Sequence, residues 1–133
     1  MKSNFPSKNK YYAQKCKING IVYDSKKEAQ RHTELQLLLK SGRICDLQRQ
    51  VRFLLIPAQY ETYERYGKNG KRLKDGKRCV ERGVDYIADF VYKENGVEVV
   101  EDTKGYKKGT AYDLFVIKRK LMLYVHGIRV REI

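Results

Sequence analysis

Residues 84–104 read VDYIADFVYKENGVEVVEDTK, and this stretch contains the clearest strand and turn signals of the sequence. Two runs rich in β-branched and aromatic residues, 84–93 and 97–104, flank the dipeptide Asn95-Gly96. Asn-Gly suits a two-residue hairpin turn, because both central residues of that turn take positive φ angles. The stretch therefore predicts a β-hairpin of two antiparallel strands.

The register of this hairpin brings Asp89, Asp102 and Lys104 onto one face. With Asn95-Gly96 as the loop, Asp89 lies directly opposite Asp102. Side chains alternate between the two faces of a strand, so Lys104 shares the face of Asp102. Glu101, the neighbour of Asp102, points to the opposite face. Directly opposed β-carbons lie only ~4.5–5.5 Å apart, so the two aspartates are close neighbours.

Two like charges at this separation, within an otherwise apolar hairpin, are destabilising by themselves. A divalent cation between them relieves the repulsion, and Mg²⁺ prefers hard carboxylate oxygens. Lys104 then stands where it can position or deprotonate a water and stabilise charge on a phosphate. The structural alternative is a pair of solvated aspartates near a sheet edge, with Lys104 in a cross-strand salt bridge.

The segment before this hairpin predicts a short hairpin, a helix and a strand. Residues 16–24 turn at Asn19-Gly20, and a helix follows from Ser25 to about Ser41. Ser25 and Glu28 have the spacing of a capping box. The helix has a predicted buried stripe of Leu35, Leu38 and Leu39. Residues 48–56 then predict a strand that ends before Pro57.

The segment after the hairpin predicts a second helix and a last strand. Thr110 is the expected N-cap of a helix that runs to about His126, and Gly127 ends it. Residues 128–133 predict a strand. The core order is helix, strand, hairpin, helix, strand, so the fold class is α/β: an αβββαβ core with a central mixed sheet flanked by helices.

The chain length of 133 residues predicts one domain. Residues 1–12 are expected to form a flexible basic arm. Residues 58–83 hold several tyrosines and a basic run punctuated by glycines, and are expected to leave the core as a long hairpin or a mobile loop. Three widely spaced cysteines favour reduced thiols in the cytoplasm, and with no run of 18 apolar residues no membrane span is expected.

The net charge points to a polyanionic partner. Lys and Arg number 29 against 16 Asp and Glu, which gives a formal charge of +13. Such an excess costs self-repulsion in the folded state and is typical of proteins that bind nucleic acid. The alternative is a basic, soluble surface without a partner.

The order of these elements, with an aspartate on one core strand and Asp-x-Lys on the next, resembles the PD-(D/E)xK nuclease superfamily. That superfamily includes restriction enzymes and Holliday junction resolvases. The stretches YDSKKEAQRHTEL, GVDYIADFVYKENGVEVVEDTKG and KRKLMLYVHGIRVREI also resemble a family of small phage and prophage proteins within it. The resemblance covers residues 20–133 except 58–83, and it implies a restriction-endonuclease-like fold in a bacterial host cytoplasm.

The resemblance implies a Mg²⁺ site, in which Mn²⁺ substitutes, held by Asp89, Asp102 and the backbone carbonyl of Thr103. It implies Lys104 as the catalytic lysine and Glu28, on the first helix, as the residue that completes the site. The residue before Asp89 is alanine where the family's motif has proline, and Asp102 stands where glutamate is commoner. Glu28 also has a purely capping interpretation, and Glu34 is the alternative glutamate.

The expected activity is a Mg²⁺-dependent DNA endonuclease. The resemblance suggests branched DNA such as a Holliday junction and, through two symmetric cuts, a homodimer; a duplex nickase fits the residues equally well. The alternatives are a non-catalytic basic DNA-binding protein and an RNA-directed nuclease. Candidate DNA contacts are Gln50, Arg52, Lys107 and Lys108.

Overall fold

The computed structural model describes residues 15–133, so the predicted basic arm at 1–12 lies outside the described residues. A short hairpin comes first, of β1 (Cys16–Ile18) and β2 (Ile21–Tyr23). Helix α1 (Lys26–Lys40) follows. Six further strands and one helix complete the fold: β3 (Cys45–Ile56), β4 (Gln59–Tyr66), β5 (Arg72–Glu81), β6 (Val84–Glu94), β7 (Val97–Asp102), α2 (Thr110–Leu121) and β8 (Arg131–Glu132).

The central sheet has four strands in the order β3-β6-β7-β8. Strand β6 is antiparallel to both β3 and β7, whereas β8 is parallel to β7, so the sheet is mixed as expected. The fold is therefore a strand-rich α/β structure with a central mixed sheet and two helices. The predicted register of the central hairpin is confirmed, with Glu94 opposite Val97 and Phe90 opposite Glu101. Asn95 and Gly96 have φ angles of 52° and 75°, as their turn requires.

The two helices pack against opposite faces of the sheet. Val99 of β7 belongs to a core cluster with Leu35 of α1, whereas Val100 belongs to a cluster with Phe115 of α2. Consecutive residues of a strand point to opposite faces, so each helix covers its own face. By the same alternation Glu101 faces α1 and Asp102 faces α2.

Helix α1 begins as predicted. The Ser25 hydroxyl accepts a hydrogen bond from the Glu28 backbone N–H at 3.1 Å. The Glu28 carboxylate accepts one in return from the Asp24 backbone N–H at 3.3 Å, one residue before the cap. Leu35 is fully buried and Leu38 packs against the core. The prediction for Leu39 was wrong: it is 41% exposed, because the contact with the sheet is narrower than the apolar stripe.

The C-terminal elements differ from the sequence prediction in three ways. Gly109, with a φ angle of 94°, occupies the N-cap position of α2, so Thr110 is the first helical residue and caps nothing. The helix reaches His126 as expected, but its last turn, Met122–His126, is π-helical. Strand β8 comprises only Arg131–Glu132, because few backbone pairs form beside the short end of β7.

Residues 58–83 form the long hairpin that was one of the two expectations. Strands β4 and β5 pair only with each other, as a separate two-stranded sheet. We call residues 59–81 the arm; from here on this name refers to the β4–β5 hairpin and not to the basic segment predicted at residues 1–12. Within residues 15–133, no helix is both long and apolar enough to cross a bilayer.

Candidate active site

A cleft of about 950 Å³ opens at the C-terminal end of β7, beside the N-terminus of α1. Its lining includes all five residues predicted for the catalytic and metal site: Glu28, Asp89, Asp102, Thr103 and Lys104. They come from three different elements: α1, β6 and the end of β7 with the segment that follows it. The fold therefore brings together residues that are up to 76 positions apart in the chain.

Asp102 is one of two acids of the cleft that are almost completely buried, the other being Glu28. Asp102 is 4% exposed, and its carboxylate accepts a hydrogen bond from the Tyr86 hydroxyl at 2.7 Å. Its other oxygen lies 2.8 Å from the Lys104 ammonium. Burial and the charge of Asp89 raise the pKa of Asp102, and Lys104 and Tyr86 oppose that rise. The interpretation of Asp102 as a solvated surface residue is therefore wrong, although its salt bridge with Lys104 is present.

Strand β7 ends at Asp102, two residues earlier than predicted, because Thr103 bonds elsewhere. The Thr103 backbone N–H and hydroxyl both donate to one oxygen of Asp89, at 2.9 and 2.8 Å. Lys104 then donates its backbone N–H to the Ile133 carbonyl at 3.1 Å. Asp89 is thus fixed against the end of β7 through Oδ2, and its second oxygen, Oδ1, lies 3.4 Å from the Gln50 side-chain nitrogen.

Glu28 is buried, at 2% exposed, on the first turn of α1. Burial and the negative charge of Asp89 raise the pKa of the Glu28 carboxyl, so the two acids interact electrostatically. The Gln50 side-chain amide joins them: its nitrogen lies 3.0 Å from a Glu28 oxygen and 3.4 Å from an Asp89 oxygen. Arg49 approaches the same Glu28 oxygen at 3.4 Å. Glu28 therefore has both roles that its position allowed, helix cap and cleft residue.

The alternative glutamate lies elsewhere. Glu34 is half exposed, pairs with Arg31 at 2.9 Å and does not line the cleft. Glu101 faces away as predicted: it is completely buried and bound by Arg31 at 2.6 Å and by the Tyr92 hydroxyl. Of the glutamates weighed for the site, only Glu28 reaches it.

Lysines surround the acidic floor of the cleft. Lys26, Lys27, Lys104 and Lys108 all line it. Sequence reasoning missed Lys26 and Lys27, although their position at the start of a predicted helix, beside Glu28, was a usable signal. The Lys27 ammonium donates to the Lys104 backbone carbonyl at 2.8 Å and so ties α1 to the segment after β7.

Two predicted DNA contacts lie outside the cleft lining. Lys107 pairs with Glu132 at 3.3 Å, and Arg52 pairs with Asp85 at 3.0 Å. Both are well exposed, with 57% and 69% of the side chain accessible. Gln50 and Lys108 do line the cleft. The role of each as a DNA contact stays a prediction.

The donor set of the cleft fits a hard divalent cation. Residues 15–133 contain no group of three or more His, Cys, Asp or Glu side chains already gathered as a metal site. Mg²⁺ does not require one, because it keeps several waters and binds through one or two carboxylates and substrate phosphate. Asp89 and Asp102 supply such carboxylates. Burial, and then the negative charge of Asp89, raise the pKa of Asp102, and a cation would offset the second of these effects.

A comparison with protein families gave one match. The model of the family described as "Protein of unknown function (DUF1064)" matches residues 8–129. The chain belongs to the DUF1064 family. The match spans α1, β3, β6, β7 and α2, so in this DUF1064 protein every residue of the cleft lies within the family region. Comparisons with curated proteins and with solved structures gave no match.

Proposed function

We propose that this DUF1064 protein is a Mg²⁺-dependent DNA endonuclease with a restriction-endonuclease-like αβββαβ core. The observation that carries the proposal is the Asp89–Asp102–Lys104 cluster, in a cleft whose acidic floor is surrounded by lysines. The order α1-β3-β6-β7-α2-β8, with the arm inserted between β3 and β6, supports this core. So does the resemblance of residues 20–133 to the PD-(D/E)xK superfamily.

Asp89 and Asp102 would hold the cation, with Glu28 and the Thr103 carbonyl completing the site, and Mn²⁺ would replace Mg²⁺. When bound, the cation supplies Lewis acidity and neutralises charge on the scissile phosphate. The Asp102 carboxylate is oriented for this role by the Tyr86 hydroxyl, which donates a hydrogen bond to one of its oxygens at 2.7 Å. The Asp89 carboxylate is oriented by two hydrogen bonds, from the backbone N–H and the hydroxyl of Thr103.

Lys104 supplies a positive charge at the reacting phosphate. Its ammonium lies 2.8 Å from Asp102 and 4.1 Å from the centre of the Phe115 ring. The ring and the carboxylate hold the ammonium at the cleft wall. From there Lys104 can donate a hydrogen bond to a phosphate oxygen as charge develops, or help to remove a proton from the attacking water.

The remaining lysines of the cleft are suited to the flanking phosphates. Lys26 and Lys27 stand on the first turn of α1, where unpaired backbone N–H groups and the helix dipole also favour an anion. Lys108 stands on the other side of the site. The overall charge of +13 would strengthen binding of any nucleic acid and make it sensitive to salt.

The finer features of the proposal come from the resemblance. They are a preference for branched DNA such as a Holliday junction, a homodimer that makes two symmetric cuts, and the cytoplasm of a bacterial host. The free thiols of Cys16, Cys45 and Cys79 suit a reducing compartment. Nicking of plain duplex DNA fits the cleft equally well.

The experiment is a gel assay of linear, nicked, flapped and four-way DNA, with and without Mg²⁺. The proposal expects cleavage that requires the metal and stops on chelation, with the branched substrates cut fastest. Binding without cleavage in every metal tested would overturn it in favour of a non-catalytic DNA-binding protein. Cleavage of matched RNA alone would make the protein an RNA-directed nuclease.

A further inference from the structure

The arm stands apart from the rest of the protein. Every residue of β4 is exposed, and in β5 only Gly76 is buried. Neither strand pairs with the central sheet. An isolated two-stranded hairpin is marginally stable in water, so a protein that keeps one needs contacts within the hairpin that hold it in shape.

The arm has such contacts. The Tyr63 ring lies across Gly76 on the paired strand, so closely that a β-carbon at Gly76 would be 2.3 Å from the ring. Arg78 lies over the same ring, 4.9 Å from its centre, and pairs with Glu61 at 2.5 Å. Lys77 lies over the Tyr60 ring at 4.4 Å. These contacts keep the hairpin extended without help from the core.

Positive charge is concentrated at the far half of the arm. Residues 65–74 contain five basic residues and no acidic one: Arg65, Lys68, Lys71, Arg72 and Lys74. Arg72 is paired with Asp75 at 3.0 Å. The other four make no salt bridge with any residue in the described range 15–133. The tip is thus an exposed cationic surface on which Arg72 alone of the five basic residues has acidic partners within the described range, Asp75 and Glu64.

The dimensions of the arm match a groove of duplex DNA. Eight residues of β4 span ~27 Å, and two paired strands lie ~4.8 Å apart. The major groove of B-DNA is ~12 Å wide and admits a two-stranded ribbon. A single-strand platform would instead need aromatic faces open for stacking. Two of the three tyrosines of β4, Tyr60 and Tyr63, already have a cation, Lys77 or Arg78, over the ring, and only Tyr66, which is 58% exposed, has none within the described residues.

The arm is also joined directly to the strands of the cleft. It continues β3 and β6, the two strands that bear Gln50 and Asp89. Along β6, Asp89 is five residues from Val84, which lies at the base of the arm, and this separation corresponds to ~17 Å. That is the length of about five base pairs. A duplex that lies along β6 with a phosphate in the cleft would therefore extend to where the arm begins.

We propose that the arm binds duplex DNA, with its tip lysines on the backbone phosphates and the ribbon in a groove. This inference rests on the proposed function only where it places the scissile phosphate in the cleft. The binding of duplex DNA by the arm does not depend on the nuclease activity. In this arrangement the arm binds the duplex away from the cleavage position, and the cleft binds the scissile phosphate.

The test compares two triple variants of equal net charge. In the first, Lys68, Lys71 and Lys74 are changed to Gln. In the matched control, Lys17→Gln, Lys40→Gln and Lys120→Gln remove the same charge from exposed sites outside the arm and the cleft. Binding of a labelled duplex of roughly 24 base pairs is measured by fluorescence anisotropy over a salt series, in EDTA so that no cutting occurs.

The arm variant should bind at least tenfold more weakly at 0.1 M salt, with a slope of log K against log salt shallower by about 2–3. The control should lose less than threefold. Equal losses in the two variants would overturn the inference, as would tighter wild-type binding to single strands than to duplex. If the protein cleaves DNA but its affinity does not depend on the arm, the DNA-binding role of the arm is refuted and the proposed nuclease function is not. If binding depends on the arm but no DNA is cleaved, the proposed nuclease function is refuted and the role of the arm is not.

Discussion

Oδ1 of Asp102 lies 2.8 Å from the ammonium of Lys104, inside a cleft where the carboxylate itself is almost completely buried. One nearby cation does not balance the cost of enclosing this acid beside Asp89, because the pKa of Asp102 remains raised. Acids whose pKa is raised by burial and by a neighbouring like charge are typical of functional sites. Burial and the charge of Asp89 thus give this position an electrostatic cost, which a cation bound as proposed would reduce.

The first prediction concerns Asp102→Asn and stability. An acid whose pKa is raised on folding disfavours the folded state wherever it is ionised, and this cost disappears as pH falls below its unfolded value of 3.8. Asn keeps an oxygen for the Tyr86 hydroxyl and removes the charge. We expect Asp102→Asn to raise Tm by a few degrees at pH 7 and to lose that advantage towards pH 3, as thermal unfolding over a pH series would measure.

The adjacent residue provides the control. Glu101→Gln makes the same chemical change on the opposite face, where the acid is completely buried but bound by Arg31 and Tyr92. Breaking a buried ion pair is destabilising, here by roughly 3 kcal/mol. Opposite signs for the two variants at pH 7 are expected. Equal destabilisation would mean that Asp102 is a structural acid like Glu101.

Glu28→Gln separates helix capping from site chemistry. The Ser25 hydroxyl bonds the backbone of residue 28 and is unaffected, and Gln retains an oxygen for the Asp24 N–H. We expect Tm to change by no more than a few degrees and DNA cleavage to fall at least tenfold, measured as single-turnover rates. Glu34→Gln, on the same helix but outside the cleft, should stay within twofold of wild type. Normal cleavage activity in Glu28→Gln would mean that Glu28 only caps helix α1 and has no role in cleavage.

The packing within the arm is tested by Gly76→Ala. The new β-carbon would be 2.3 Å from the Tyr63 ring, so the ring must leave its place. Gly67→Ala is the matched control in the same arm, because its nearest neighbour would be 3.6 Å away. We expect duplex affinity to fall several-fold for Gly76→Ala and to stay constant for Gly67→Ala, with the Tyr63 NMR signals shifted only in the first. Unchanged Tyr63 signals in Gly76→Ala would contradict the packing described.

The sequence predicted the parts of this structure that local chemistry determines. Asn95-Gly96 set the hairpin register, and that register brings Asp89 and Asp102 to the positions directly after the Phe90–Glu101 pair, where β7 ends. Ser25 and Glu28 marked the start of α1 in the same way. Each prediction required only neighbouring residues and the period of a strand or helix.

The parts that failed depend on contacts distant in the chain. Leu39 is exposed because the contact between α1 and the sheet, which depends on residues distant in the chain, includes Leu35 and Leu38 and does not reach it. Tyr86 looked like an ordinary strand residue, and its hydrogen bond to Asp102 appears only once β6 and β7 are assembled. The approach of Lys27 to Lys104 likewise spans 77 positions.

The most direct measurement of the central claim is the Mg²⁺-dependent cleavage rate of Asp102→Asn, compared with wild type on the DNA substrate that wild type cuts fastest. The two proteins should be purified identically and should bind that DNA equally in EDTA. The nuclease proposal predicts a loss of at least a hundredfold in rate, with DNA affinity retained or increased because a negative charge has gone. A folded Asp102→Asn protein that cleaves at the wild-type rate would contradict it.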